Sequence, residues 1–176
     1  MNSPIKQLTH EETTNLTHDF PLVVVVENLL NPENVGMTFR VCEAMGVRRL
    51  LLTGLTPAPP HRKIAKAARA TQKRLPFQHA LDTAKTLEEL KADGYTLIGL
   101  EITNQSQDLR RFDCTNFDKI ALVVGAEREG ISAATLNTLD VTVHIPMFGT
   151  GSSMNVVTAL SIGLYEIIRQ TVNRKP

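Results

Sequence analysis

The sequence predicts an α/β domain in which a mainly parallel β-sheet carries helices on both faces. Strand and helix patterns alternate along almost the whole chain, which is typical of strands joined by helical crossovers. The strand segments are continuous aliphatic runs, as expected of parallel strands buried on both faces. The chain has 176 residues, of which 42% are hydrophobic, and this suits one compact core.

The predicted elements follow one another in a regular order. The strands are LVVVVEN (22–28), RRLLLTG (48–54), YTLIGLE (95–101), IALVVGAE (120–127) and VTVHIP (141–146). Helices are expected at about 32–45, 61–72, 83–92, 132–139 and 153–170. The polar residues 1–19 are expected to form an N-terminal extension with a short helix near 10–16, and residues 20–176 a single domain.

Cap and turn residues mark several of these boundaries. Asn31 and Pro32 are a typical helix start, with asparagine as the cap and proline at the first helical position. The prolines of TPAPPH (56–61) cannot continue either neighbouring element, so this stretch is predicted to be a loop. Ser132 is the natural cap of the helix after the fourth strand.

Composition excludes several classes of protein. The formal net charge is +1, so only the distribution of charge can indicate a nucleic-acid partner. The two cysteines form no Cys-x-x-Cys pair and the five histidines show no ligand spacing, so no metal site is expected. The longest aliphatic run, 22–26, is far shorter than the roughly 20 residues of a membrane span. No signal-peptide pattern opens the chain, and a cytosolic location is expected.

Three segments follow strands at the edge where open α/β sheets bind ligands. The first, ENLLNPENVGMTFR, is readable as a well-capped helix and nothing more. However, Gly36 inside the helix pattern costs about 1 kcal/mol relative to alanine, which indicates a close backbone approach. Arg40 follows one turn later on the same face, and its structural alternative is an ordinary ion pair with Glu43.

The second and third segments are rich in glycine and small polar residues. In GAEREGIS a strand-to-helix turn explains Gly125 and Gly130, but it does not explain Glu127 at the ligand-binding edge. In FGTGSSMN the spacing fits neither a dinucleotide fingerprint, nor a Walker loop, nor a nucleophile elbow. The third loop therefore offers backbone groups and small polar side chains to an uncharged or cationic ligand.

Together the three segments resemble the three motifs of the SpoU (TrmH-like) family of RNA ribose 2′-O-methyltransferases, within the SPOUT superfamily. NPENVGMTFRVCEAMG is similar to the first motif, with the Asn-to-Arg spacing kept from Asn34 to Arg40. LVVGAEREGIS is similar to the second motif, and IPMFGTGSSMNVVTALSIGLYE to the third, with Met154 where many members have leucine. The resemblance extends over about 22–170.

The resemblance implies a fold in which the C-terminal part of the chain forms a trefoil knot. It also implies that S-adenosylmethionine is the cofactor, held in the knot by backbone groups. The expected cofactor-binding residues are Val124, Gly125, Ile145, Met147, Gly149 and Met154.

The implied reaction is transfer of the cofactor's methyl group to a ribose 2′-hydroxyl, which loses its proton as it attacks. The residues that match the family's catalytic positions are Arg40, Asn34, Glu127, Ser153 and Asn155. Family proposals make the residue corresponding to Arg40 the proton acceptor. Because guanidinium is ordinarily a permanent donor, Arg40 could instead hold the adjacent phosphate and stabilise negative charge on the oxygen.

The segment HRKIAKAARATQKR (61–74) has six Lys and Arg residues and no acidic one. A solvated helix face would explain this composition, but for an RNA enzyme it is the best candidate for phosphate binding. The expected RNA-binding residues are Arg62, Lys63, Lys66, Arg69, Lys73 and Arg74.

Assembly and substrate are predicted from the resemblance as well. Family members are homodimers that complete the active site across the interface, and a homodimer is expected here. In the last helix a strip of small residues, Ala159 and Gly163, could admit a partner helix, although core packing would also explain it. The chain resembles a catalytic domain with short extensions, which favours tRNA over rRNA as substrate. The alternatives are a knotted enzyme that methylates a base and an RNA-binding protein without catalytic activity.

Overall fold

The structure is a computed structural model that describes residues 5–9 and 11–172. Its strands are β1 (Leu22–Glu27), β2 (Arg49–Thr53), β3 (Phe77–Ala80), β4 (Thr96–Leu100), β5 (Gln107–Asp108), β6 (Ile120–Val124) and β7 (Val141–His144). Its helices are α1 (Pro32–Ala44), α2 (Arg62–Ala68), α3 (Thr83–Ala92), α4 (Ala133–Leu136) and α5 (Val156–Thr171). A single 3₁₀ turn, Thr71–Lys73, follows α2.

The strands form one sheet in the order β3-β2-β1-β6-β4-β7-β5, and every pairing between them is parallel. The apolar strand β1 lies between β2 and β6, and all six of its residues are buried. Because the strands are parallel, the carboxyl ends of β1, β4, β6 and β7 reach the same edge of the sheet, and the loops that follow them lie together there.

Helices cover both faces of the sheet, which confirms the predicted fold class. On one face Leu22, Val24 and Val26 of β1 pack with residues of α1, α2 and α5. On the other face Val23 and Val25 pack with residues of α3 and with the segment around α4. The alternation of faces along β1 places every aliphatic side chain of this strand in a core.

Gly36 is required where α1 crosses α2. A Cβ at this position would lie 2.6 Å from the carbonyl oxygen of Ile64 and 2.7 Å from Cβ of Ala67. The close backbone approach that the sequence indicates is therefore a helix–helix contact. It fixes how α1, and with it Asn34 and Arg40, lies on the molecule.

Several predicted boundaries are wrong. Residues 11–16 contain a turn and no helix, and His10 lies outside the described residues. The second helix ends at Ala68, because Arg69 and Ala70 adopt left-handed backbone angles with φ of 49° and 69°. The fourth helix has only four residues, and the last one begins at Val156, after an irregular loop.

Strands β3 and β5 were missed by the sequence analysis. Both contribute to the margins of the sheet, where β3 has two exposed residues and β5 consists of only two residues. Neither has the aliphatic run by which the central strands were recognised.

Candidate active site

A pocket of about 360 Å³ lies at the carboxyl ends of β4, β6 and β7. Its apolar lining comes mainly from strand ends and from the loop before α5, and its polar lining from the turn after β6. Seven of the predicted site residues line it: Val124, Gly125, Glu127, Ile145, Met147, Ser153 and Met154. The predicted residues Gly149, Asn34, Asn155 and Arg40 are not among its lining residues.

The turn after β6 is shaped by two glycines. The backbone groups of Ala126 and Gly130 exchange hydrogen bonds of 3.0 and 3.1 Å, and Gly130 has a φ of 66°. A Cβ on Gly125 would collide with the backbone of Gly130. Both glycines are thus needed to close the turn, and the closed turn holds Glu127 beside the pocket.

Asn34 joins the three motif segments by hydrogen bonds. Its Nδ2 donates to Oε1 of Glu127 at 2.9 Å, and its Oδ1 accepts from Nδ2 of Asn155 at 3.4 Å. The backbone N–H of Asn31 adds a 3.3 Å hydrogen bond to the same Glu127 oxygen. Asn34 is 8% exposed, so the amide holds these partners in a largely buried position. Residues separated by 93 and 121 positions in the sequence are therefore in contact, as the motifs predict.

Asn155 also starts the last helix. Its Oδ1 accepts hydrogen bonds from the N–H groups of Val157 and Thr158 at 2.9 and 3.3 Å, which makes it the cap of α5. Because the side-chain oxygen is occupied in this way, the amide nitrogen is directed to Asn34. Ser153 does not cap α5 and instead lines the pocket.

Arg40 lies apart from this pocket within one chain. It is six residues beyond Asn34 on α1, which rotates its side chain by roughly 120° from that of Asn34 in an α-helix. It is exposed and lines a separate depression of about 590 Å³, together with Arg69, Arg74 and Ser161. Within one chain, Arg40 therefore does not share a pocket with Glu127 and Ser153.

The ion pair offered as an alternative explanation for Arg40 is not formed either. Glu43 instead pairs with Arg74, at 2.7 Å between Oε1 and Nε. This hydrogen bond and the carboxylate charge raise the pKa of the Arg74 guanidinium. In the described part of the chain, the Arg40 side chain has no hydrogen-bond or ion-pair partner that would give it a purely structural role.

The basic residues of 61–74 are exposed but do not form one continuous helical stripe, since the helix stops at Ala68. Arg69 and Arg74 line the depression that contains Arg40. Arg62 and Lys73 line a different groove, next to Pro59 and Pro60, while Lys63 and Lys66 line neither of these two cavities. The predicted phosphate-binding surface is therefore divided into separate parts.

Glu101 and His144 are among the pocket residues that the sequence analysis missed. Glu101 follows β4 and His144 ends β7, and both line the pocket. A signal was present, because Glu101 ends one predicted strand and His144 lies near the end of another, at the ligand-binding edge.

The strip of small residues on α5, Ala159 and Gly163, faces the sheet and not a possible partner helix. A Cβ on Gly163 would lie 3.0 Å from Cδ2 of Leu100, and Ala159 lines the pocket, so this strip faces the sheet. The exposed side of α5 instead carries Ile162 and Tyr165, which are 40% and 62% exposed. The strip is explained by core packing and does not admit a partner helix.

The fold and the motifs agree with those of known proteins. The SpoU rRNA Methylase family model matches residues 21–165. A Neisseria meningitidis protein named 23S rRNA (guanosine-2'-O-)-methyltransferase RlmB is 34% identical over 152 residues, which are 86% of this chain and 60% of that protein. The chain thus spans about 60% of the length of this relative.

Solved structures of similar fold include the SpoU methyltransferase AviRb from Streptomyces viridochromogenes in complex with the cofactor AdoMet. That protein is 25% identical, with a TM-score of 0.80, and the match covers 89% of this chain and 63% of that one. A TrmH/SpoU tRNA modifying enzyme from A. aeolicus is 28% identical, with a TM-score of 0.77, and the match covers 86% of this chain and 76% of that one. No helix in the described part of the chain has the length and apolar character needed to cross a membrane.

Proposed function

Because the chain belongs to the SpoU rRNA methylase family, we propose that it transfers a methyl group from S-adenosylmethionine to a ribose 2′-hydroxyl of structured RNA. The observation that carries this proposal is the contact of the three motif segments through Asn34, at the side of one pocket. The single domain 20–176, a cytoplasmic location and the absence of a metal ion from the reaction are parts of the same proposal.

The pocket suits the proposed cofactor in size and chemistry. Its volume lies at the lower end of the range of about 300–1,000 Å³ for small-molecule sites. Apolar side chains such as Val124, Ile145 and Met154 suit an adenine ring and a thioether chain, whereas the carboxylate of Glu127 suits a positively charged group. The bound cofactor supplies an activated methyl group on a sulfonium sulfur.

The chain's own residues then have three tasks in the proposed reaction. The turn at 125–131 and the loop before α5 position the methyl donor, and in-line transfer depends strongly on such positioning. The Asn155–Asn34–Glu127 hydrogen bonds keep these two segments in a fixed relation to α1. Arg40 stabilises negative charge on the ribose oxygen or holds the neighbouring phosphate, and its fork of donors suits both tasks.

The position of Arg40 outside the pocket supports a homodimer in this proposal. In a symmetric pair of chains, Arg40 of one chain can act on the pocket of the other. The exposed sides of α1 and α5 carry apolar residues suited to such an interface, namely Met37, Ile162 and Tyr165.

Ribosomal RNA is the substrate that we propose to test first. The preference for tRNA drawn from the sequence is not supported by the comparisons, since the Neisseria relative is named for 23S rRNA. The A. aeolicus protein is named as a tRNA modifying enzyme, so tRNA is the necessary second arm of the experiment.

The direct test is incubation of the protein with methyl-labelled S-adenosylmethionine and separated pools of 23S rRNA, 16S rRNA and tRNA. We expect label in 23S rRNA, at a linkage that resists alkali and ribonuclease because its 2′-oxygen is methylated. Label on a base would replace ribose methylation by base methylation. RNA binding without label in any pool, and without affinity for the cofactor, would identify a non-catalytic RNA-binding protein.

A further inference from the structure

The strand ends of β4 and β7 bring two hydrogen-bond acceptors side by side in the pocket. The two strands are paired in parallel with Leu100 opposite Val143, and the N–H of Glu101 donates to the carbonyl of Val143 at 2.9 Å. Glu101 and His144 are therefore neighbours on adjacent strands, and both line the pocket. Neither has a task in the function proposed above.

The carboxylate of Glu101 is held in place and still has accepting capacity. Its Oε1 accepts from the N–H of Ile102 at 2.9 Å, and its Oε2 from the N–H of Ile131 at 3.0 Å. Gly130 leaves room for it, since a Cβ there would collide with Oε2. A carboxylate can accept about four hydrogen bonds, so these two backbone donors leave roughly half of its capacity for a ligand.

The hydrogen bonds around His144 accommodate the tautomer whose Nε2 is an acceptor. The hydroxyl of Ser106 has one proton, and it donates to the carbonyl of Thr103 at 2.9 Å. When that proton is donated to Thr103, His144 Nδ1 is the donor in its 3.0 Å contact with Ser106 Oγ. In the neutral ring this leaves Nε2 as an acceptor. Within the described residues, Nε2 of His144 has no hydrogen-bond partner. It is not one of the fully buried side-chain atoms that lack a partner.

We propose that Glu101, with His144 Nε2 beside it, accepts hydrogen bonds from the two hydroxyls of the adenosyl ribose. With the Nδ1–H tautomer of His144, the two side chains offer neighbouring acceptors to the pocket, and a ribose offers two neighbouring donors. Carboxylates near the carboxyl ends of strands accept from ribose hydroxyls in other α/β nucleotide sites. The inference rests on the proposed function, because it requires an adenosyl cofactor in this pocket.

The test measures binding and does not depend on activity. Calorimetry gives the affinity for S-adenosylhomocysteine and for its 2′-deoxy and 3′-deoxy analogues, with wild type, Glu101→Ala and His144→Phe. The control is Glu88→Gln, which removes an exposed carboxylate on α3 that does not line the pocket. Thermal unfolding of each variant checks that it is folded.

For the wild type, we expect the analogue that lacks the hydroxyl bound by Glu101 to bind about tenfold to a hundredfold more weakly. This is the usual range for a hydrogen bond to a charged group. Glu101→Ala should bind S-adenosylhomocysteine more weakly by a similar factor and should no longer distinguish it from one of the analogues. His144→Phe should lose discrimination of the other hydroxyl, by about threefold to tenfold. The control should bind all three ligands as the wild type does.

A purely structural role of Glu101 would give a different result. If the carboxylate only supports the turn through Ile131, its removal should weaken binding of all three ligands by the same factor, and this would overturn the inference. Should Glu101→Ala not fold, unchanged discrimination in His144→Phe would overturn it as well. Failure of the wild type to bind S-adenosylhomocysteine would overturn both this inference and the proposed function. If the wild type binds it but Glu101→Ala weakens binding of all three ligands equally, only the inference is overturned.

Discussion

Asn34 shows at the scale of one residue how the site depends on an amide. One end of its side chain donates to Glu127 and the other end accepts from Asn155, so donor and acceptor are both required. Neither aspartate nor a hydrophobic residue can replace both functions. The sequence motif indicated the importance of Asn34, and the structure gives the physical reason.

Asn34→Asp should be more damaging than Asn34→Ala. The aspartate carboxylate would stand where Nδ2 now donates to Glu127, and two carboxylates at about hydrogen-bond distance repel each other. We expect the affinity for S-adenosylhomocysteine to fall by about tenfold or more in Asn34→Asp, and by less in Asn34→Ala, which only removes the hydrogen bonds. Calorimetry of both variants at neutral pH makes the comparison, and equal losses would contradict the role given to Glu127.

Arg40→Lys tests the arginine without disturbing the pocket. Lysine keeps the charge but loses the planar fork of donors, and we expect RNA methylation to fall by about a hundredfold. Since Arg40 does not line the proposed cofactor pocket, affinity for S-adenosylhomocysteine should change by less than about twofold. The matched control is Arg48→Lys, just before β2 at the opposite end of the strands, which should keep activity. A parallel loss of cofactor binding in Arg40→Lys would show that the arginine belongs to the pocket of its own chain.

At the scale of elements, the central strands could be predicted because burial on both faces requires continuous aliphatic runs. The margins of the sheet could not, because Gln78 and His79 of β3 are exposed and give no apolar pattern. The end of α2 was missed for a different reason. Alanine is a strong helix former, and nothing local in AARATQKR announces that Arg69 and Ala70 leave the helix in left-handed conformations.

The left-handed position of Ala70 gives a stability prediction. An L-residue pays about 1–2 kcal/mol for this conformation, whereas glycine adopts it freely. Glycine also gains entropy in the unfolded chain, so Ala70→Gly should raise the free energy of unfolding by only about 0.5–1 kcal/mol. The control Ala65→Gly, at an exposed position inside α2, should lower it by about 1 kcal/mol. Urea unfolding measures both, and a destabilised Ala70→Gly would contradict the backbone assigned to this turn.

At the scale of the whole molecule, the sequence predicted which loops meet but not where Arg40 lies relative to them. The three loops meet because parallel strands end at one edge, which follows from the fold class alone. The side of α1 on which Arg40 lies depends on how α1 packs on α2 through Gly36, a contact between distant segments. A trefoil knot is likewise a property of the complete chain path, and it stays a prediction from the resemblance.

Complementation between two inactive variants tests whether Arg40 acts on the pocket of a second chain. Arg40→Ala keeps the pocket but lacks the guanidinium, and Asn155→Ala keeps Arg40 but breaks the hydrogen bond to Asn34. In a mixed dimer, one of the two sites would combine an intact pocket with an intact arginine from the other chain. Random exchange makes about half of the dimers mixed, so the mixture should regain about one quarter of wild-type RNA methylation. If Arg40 acts within its own chain, mixing restores nothing, because every chain then carries a defect in its own site.

Size-exclusion chromatography with light scattering, run on the same mixture, establishes that dimers are present and have exchanged, so that a failure of complementation counts against the shared site.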